Sequence, residues 1–374
     1  MASTRPSYET TYKRYPIDLS QRRPIIFLED LITMKENTQN LVGLGTLAAA
    51  GFLLAKQFAR RARALDLTDK VVLITGGSRG LGLVLAREFA RHGARIAICA
   101  RDQSELEHVV GEFAWMGENF LAVTCDVTVR ENVETMAMQV ETMLGPVDVL
   151  VNNAGTIIVG PIENQSIDTF EDAMNTNFWG PLYATFAVMP GMKRRQQGRI
   201  VNIASFGGKI AVPHLLPYSA SKFALVGLSE GLRMELVKDG ILVTTVCPGL
   251  MRTGSPRNAD FTGQSEKEYS WFTVSDSLPG ASVSAETAAK KIIDACIHGD
   301  PELLLGATAK LAAAMHSLMP EMINEILGFT NTLLMPAPNG SGTRKFKGSQ
   351  SETAVTQSAL TALTRMAESA NNQL

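Results

Sequence analysis

The chain has almost no net charge: 35 lysines and arginines stand against 37 aspartates and glutamates, a formal −2 at neutral pH. Without a basic excess there is no electrostatic footprint for a nucleic acid or another polyanion partner. Cysteine is also scarce. Cys99, Cys125, Cys247 and Cys296 are widely separated, form no CxxC pair, and the first three end or sit within aliphatic runs. That excludes a disulfide framework, and a metal site would need cysteine and histidine clustering that is missing. The four read as buried free thiols in a reducing compartment. What is plentiful is apolar side chain, 45% of 374 residues, enough for a large globular core.

One stretch lacks charge altogether, Asn37 to Ala55. Before it, residues 1–40 mix both signs of charge with Pro6, Pro16 and Pro24 and show no period, so a loosely ordered lead-in is expected. Leu41 to Ala55, LVGLGTLAAAGFLLA, is almost wholly apolar and is followed by Lys56, Arg60, Arg61 and Arg63. As a helix it spans about 22 Å against a hydrocarbon core of about 30 Å, and the uncharged residues before it bring it closer. Residues 41–63 are read as an apolar helix with a basic flank that anchors the chain in a membrane, with the catalytic portion in the cytoplasm by the positive-inside rule. The competing reading is a helix packed on the protein itself.

From Asp66 strands and helices alternate at the spacing of βαβ units, which predicts an α/β fold: a doubly wound parallel sheet with helices on both faces, over residues 66–306. Its first unit is Lys70 to Gly82, KVVLITGGSRGLG, a buried strand that stops at a glycine-rich turn and opens a helix. Gly76, Gly80 and Gly82, with Ser78, Arg79 and Leu81 between them, let backbone face the helix N-terminus. There free N–H groups and the helix dipole favour a diphosphate, and a Cβ at Gly80 would hold it away.

The second strand, Arg95 to Ala100, is followed by Arg101, with no acid at the strand end. A ribose 2′-OH usually meets a carboxylate there, whereas a 2′-phosphate needs a cation. Arg79 and Arg101 therefore point to NADP(H) in preference to NAD(H). The third strand ends in Asp126 and Val127, placed for an adenine edge, although a helix-capping aspartate explains Asp126 nearly as well. The fourth runs into Asn152, Asn153, Ala154 and Gly155, a sharp turn in the crevice where such sheets bind cofactors.

The next helix carries an apolar row at Ile167, Phe170, Met174 and Phe178 with Asn177 on its buried edge, and Pro181 would free a carbonyl just beyond Asn177. Strand Gly198 to Ser205 delivers Ser205 thirteen residues before Tyr218. In PYSASK, Tyr218 and Lys222 lie four apart and so share a helix face, where an ammonium would lower the phenol's pKa. A lone YxxxK is most often a surface pair; here it accompanies a serine delivered to the same edge of the sheet.

Together TGGSRGLG, NNAG, Asn177, Ser205, YSASK and CPGLMRT resemble the short-chain dehydrogenase/reductase family, in order and at family spacing, over about residues 66 to 306. The resemblance implies a Rossmann-type sheet of seven strands and an oxidoreductase that moves a hydride between NADP(H) and a carbonyl or alcohol. It implies Tyr218 as the acid/base, Lys222 as its partner and ribose ligand, Ser205 on the substrate oxygen and Asn177 in a water-mediated proton relay. It places Pro248, Gly249 and Thr253 against the nicotinamide carboxamide, and it implies a homo-oligomer formed through the helices bearing Asn177 and Tyr218.

The substrate is expected to be a small apolar carbonyl or alcohol, because the loop Ala211 to Pro217 and the long segment Met251 to Pro279, with Trp271 and Phe272, would cover the site. His214 in that loop is read as having no catalytic role. An alternative is a ketoacyl reductase acting on a carrier-bound chain docked on Arg194, Arg195, Arg252 and Arg257; another is a non-catalytic NADP(H)-binding scaffold or redox sensor. Residues 307–336 predict apolar helices whose Met and Leu stripe packs as core, and residues 337–374 a flexible polar tail with one short helix.

Overall fold

The computed structural model describes residues 51–52, 54–277, 282–340, 342–358 and 361–373. The chain forms two units, Met1–Ala59 and Arg60–Leu374. Of the first, residues 51–52 and 54–59 are described and helical, so most of the expected anchor, residues 41–50, lies outside the described residues. Among the described residues no helix is long and apolar enough to cross a membrane.

In the second unit the elements follow in the order β1 (Val71–Thr75), α1 (Gly80–Arg91), β2 (Arg95–Ala100), α2 (Gln103–Glu112), β3 (Phe120–Thr124), α3 (Arg130–Met143) and β4 (Val147–Asn152). Then come α4 (Ile167–Met174), α5 (Gly180–Arg195), β5 (Gly198–Ile203), α6 (Leu216–Leu236), β6 (Ile241–Pro248), α7 (Ser265–Ser277), α8 (Ala285–His298) and β7 (Glu302–Leu305). The seven strands make one sheet in the order β7-β6-β5-β4-β1-β2-β3, with every pairing parallel. The order reverses between β1 and β4, so the loops leaving those two strands diverge and open a crevice at the carboxyl edge.

The pleat sends alternate residues of β1 to opposite faces. Val72 and Ile74 pack with Leu83, Phe89, Ile292 and Ile293 under α1 and α8; Val71 and Leu73 pack with Val133, Met136, Val188 and Met192 under α3 and α5. Each buried aliphatic side chain contributes roughly 1.5–3 kcal/mol, and two such layers fix the sheet from both sides. All four cysteines are free and buried.

The helix bearing Asn177 departs from the amphipathic reading. α4 runs into α5 through a π-turn at Asn175–Trp179, and the buried residues along this stretch include Thr169, Ala173, Asn177, Gly180 and Ala184. Ile167, at the head of the expected apolar row, is 73% exposed. The physical reason is helix phase: Thr169, Ala173 and Asn177, four residues apart, form the buried face, which leaves Ile167 two positions off it, and the π-turn falls where Pro181 lacks the N–H that Asn177's carbonyl would accept in an α-helix.

After β7 the chain forms a hairpin of α9 (Ala307–Leu318) and α10 (Pro320–Leu334). Its apolar stripe is not core: α10 has no buried residue, and Leu311, Leu318, Ile326 and Phe329 are exposed. The C-terminal segment also differs from a loose tail. It holds the one expected helix, α11 (Ala362–Ala370), but Phe346–Lys347 pairs antiparallel with Asp260–Phe261. Ser351, Thr361, Thr364 and Asn371 are buried. Polar bonds hold it to α7, Ser270 Oγ to Thr353 Oγ1 at 2.9 Å and Ser277 Oγ to Thr364 Oγ1 at 2.5 Å.

Candidate active site

A cavity of about 880 Å³ opens along the carboxyl edge of the sheet. Its walls include Gly76, Ser78, Arg79, Gly80 and Leu81 of the glycine turn, Arg101, Asp126 and Val127 after β2 and β3, and Asn153, Ala154 and Gly155 after β4. Ser205, Tyr218, Lys222, Pro248, Gly249 and Thr253 line it as well. Of the residues expected from sequence, Gly82 and Asn177 stand behind the wall.

The glycine turn is built for close approach. Gly76 and Gly80 have φ of +64° and +56°, a conformation L side chains rarely adopt, and a Cβ on Gly76 would stand 2.9 Å from Ala154 Cα. Gly82 has no room for a side chain against Gly76 and Asn153. Asn153 is the buttress between the two loops, its Nδ2 donating to Thr75 O at 3.0 Å and Gly76 O at 2.9 Å. Its neighbour Asn152 instead enters a buried chain with Asn202, Ser229 and Thr245 beneath the site.

Asn177 is fully buried. Its Oδ1 accepts from Thr156 N at 3.0 Å, and its Nδ2 donates to Thr156 O at 3.0 Å and Ser221 Oγ at 2.9 Å. These bonds tie the π-turn to the loop after β4 and to α6. A Cβ on Gly155 would lie 3.0 Å from Asn177 Oδ1 and 3.5 Å from Lys222 Nζ, so the two groups meet behind that glycine.

Tyr218 and Lys222 share one face of α6, with the Lys222 nitrogen 5.7 Å from the phenol ring centroid. Lys222 is buried and donates to Ile203 O at 2.9 Å; burial pulls its pKa down to about 8. Tyr218 departs from the expected direction. Burial pushes it up to about 12, and a hydrogen bond with Ser205 opposes that only in part. Desolvation is the dominant cause, so the side chain is held as a phenol. Ser205 caps the turn after β5 by accepting from Gly207 N at 3.0 Å.

Around the second strand's end sit two acids that the sequence reading passed over. Asp102 caps α2, and Glu105 bonds Arg79 Nη1 at 2.5 Å and Ser78 Oγ at 2.6 Å; both acids line the cavity. Arg79 is therefore paired, while Arg101 stands exposed at the rim. The signal was present: an Asp with a Glu three residues on is a helix-start pattern, which put both carboxylates beside the strand end. Asp126 accepts from Thr128 N and Oγ1 at 2.9 and 2.8 Å, a turn that still leaves it on the wall.

The sequence reading missed Asp276 of α7 and Gln373 on the wall, whereas Phe272 lines the cavity from the segment expected to cover it. Burial raises Asp276 to about 7. His214 is no free loop histidine: its Nδ1 lies 2.7 Å from Glu268 Oε1, both side chains are buried, and its φ is +62°. The pair fastens the loop before α6 to α7.

The arginines weighed as a carrier-docking patch are dispersed. Arg195 donates to Val147 O at 2.6 Å, at the amino end of β4 and away from the cavity. Arg252 is bonded to Ser282 O and Oγ, and Arg257 to Glu352.

The order of strands, the glycine turn and the Ser205, Tyr218, Lys222 constellation coincide with a family match: the short chain dehydrogenase model covers residues 70–261. This chain belongs to the short-chain dehydrogenase/reductase family. Ketoacyl reductase HetN of Nostoc sp. is 33% identical over 70% of this chain and 88% of its own length. Dehydrogenase/reductase SDR family member 7B of Danio rerio is 34% identical over 76% of this chain and 94% of its own. A crystal structure of actinorhodin polyketide ketoreductase with NADPH superposes with a TM-score of 0.57 at 33% identity, covering 66% of this chain and 99% of that one. As a family member the chain is an oxidoreductase of C=O and CH–OH groups that binds a nicotinamide cofactor.

Proposed function

We propose that the protein reduces an apolar ketone or aldehyde with NADPH, using Tyr218 as the proton donor. The observation that carries this reading is that Ser205, Tyr218 and Lys222 line the same cavity as the glycine turn. The residues fit a dinucleotide: two positive-φ glycines at a helix N-terminus, an adenine-side wall at Asp126 and Val127, and Lys222 beside the tyrosine. When bound, the cofactor supplies the hydride.

The chain's own groups do the rest. Ser205 orients the substrate oxygen, and Tyr218, kept protonated by burial, delivers a proton to it as negative charge builds there. Lys222, still mostly cationic at pH 7, stabilises the phenolate left behind and holds the ribose. Asn177 joins Thr156 to Ser221 and fixes this geometry. Phe272, Leu215 and Val212 supply the apolar wall. The phosphate preference rests on Arg101, with Arg79 held against Glu105. The exposed Ile167, Trp179, Phe186 and Phe223 on α4 to α6 form the face through which we expect two copies to associate.

The relatives named ketoacyl reductases favour a second reading, a carrier-tethered β-keto substrate, and the dispersed arginines weigh against it. The test is NADPH oxidation by the purified protein over apolar ketones and aldehydes, beside the same β-keto acyl group free and carrier-bound. Turnover of free carbonyls supports the main reading; turnover only when the substrate is carrier-bound replaces it with the second.

A further inference from the structure

The last residues of the chain lie on the glycine turn. Gly80 N–H, at the first position of α1, donates to Asn371 O at 2.8 Å. Asn372 Nδ2 donates to Ser78 O at 3.0 Å, and Asn258 Nδ2 bonds the Gln373 side chain. A Cβ on Gly80 would come within 2.5 Å of Gln373 Nε2. The space that this glycine clears, and the amide it presents, are what a diphosphate needs at a helix N-terminus; here a backbone carbonyl takes the amide and a side-chain amide fills the space.

We propose that residues 371–373 are a built-in competitor for the cofactor's diphosphate, seated on the glycine turn in the free protein and expelled when the dinucleotide binds. The proposal rests on the reading of this cavity as a dinucleotide site. A phosphate oxygen and the Asn371 carbonyl are both acceptors for the same N–H, so the two states exclude each other at that bond. The seated state is held weakly. Asn371 is 1% exposed, yet among the described residues neither its side-chain nitrogen nor its oxygen has a partner, and a buried amide left unpaired is unfavourable. Expulsion returns that amide to water, while the anchors further back, Ser277 to Thr364 and Arg87 Nη1 to Ala370 O at 3.0 Å, keep α11 near. A seated tail reduces the apparent affinity by the fraction of molecules that are open, so the segment sets the NADPH concentration at which the enzyme loads.

Two measurements on the full chain test this. Calorimetric titration with NADPH compares the natural protein with N372A/Q373A, in which the side-chain contacts to Ser78 and Asn258 are gone. Hydrogen exchange follows the amides of residues 362–373 with and without NADPH. The proposal predicts roughly 5- to 30-fold tighter NADPH binding by the variant, the change expected from losing a restraint of one or two kcal/mol. It also predicts faster exchange of the tail when NADPH binds the natural protein. Unchanged or weaker binding by the variant, or a tail that becomes more protected with NADPH, would overturn it and make the segment a clasp. Failure of both proteins to bind NADPH or NADH would remove the dinucleotide reading itself, and the competitor with it.

Discussion

Burial moves the two ionisable groups of the site in opposite directions, Tyr218 up to about 12 and Lys222 down to about 8, and both neutral forms gain. A phenol that stays protonated is the right acid for reduction, and the lysine is the group that titrates within the working range. Activity is expected to hold up to pH 8 and fall above it as Lys222 loses its charge, which a kcat/KM profile against pH will show. Asp276 carries a second pH effect. Its folded pKa of about 7 lies above the ordinary carboxylate value of 3.8, so the folded state binds more protons, and stability falls as pH rises between those values. Asp276→Asn should therefore be more stable than the natural protein at pH 7, by on the order of a few kcal/mol, with the difference closing toward pH 4 in thermal melts. At the adenosine end, Arg101→Ala should raise KM for NADPH roughly 10- to 100-fold, the loss of a charge-assisted contact, and leave NADH unchanged. The sequence placed Arg101 at the strand end and offered Glu105 as part of a helix start, but Glu105's hold on Arg79 depends on how α2 is set against the glycine turn.

At the scale of elements, the strand–glycine–helix unit was fully legible, because its chemistry is local: aliphatic run, positive-φ glycines, helix start. So was the Tyr218 to Lys222 spacing on α6. The π-turn was not. Pro181 announced a broken hydrogen bond near Asn177, but nothing in the residues says that the helix will absorb it with one extra residue. The buried link between His214 and Glu268 was also invisible, since it joins a loop to a helix fifty-four positions away. Glu268→Ala leaves His214 without its buried hydrogen-bond partner and should cost about 1–3 kcal/mol in denaturant unfolding. In the fraction that stays folded, KM for the carbonyl should rise more than Kd for NADPH, because the loop borders the substrate end.

For the whole molecule, the alternation of strands and helices gave the doubly wound sheet, and the motif set gave the cavity edge. What lay beyond β7 was harder to read. A polar segment rich in Ser, Thr and Gln buries only if partners are waiting, and those partners, Thr273 to Ser277 of α7 and the edge strand Asp260–Phe261, are distant in sequence. The Met and Leu stripe of α9 and α10 has helical period but meets no second layer among the described residues, so period alone did not tell exposed from buried. Assembly is the property to measure at this scale: W179E/F186E should shift the protein to a smaller species in light scattering while its circular dichroism stays unchanged.

The account turns on Tyr218 as a proton donor beside a bound nicotinamide cofactor, and the most direct test is the absorbance decay of NADPH with a reducible apolar ketone for the natural protein and Tyr218→Phe. The account predicts a fall in kcat of roughly 100- to 10,000-fold, with NADPH affinity within a few-fold of the natural value. Turnover that survives the substitution would contradict it and move the acid to another residue of the cavity.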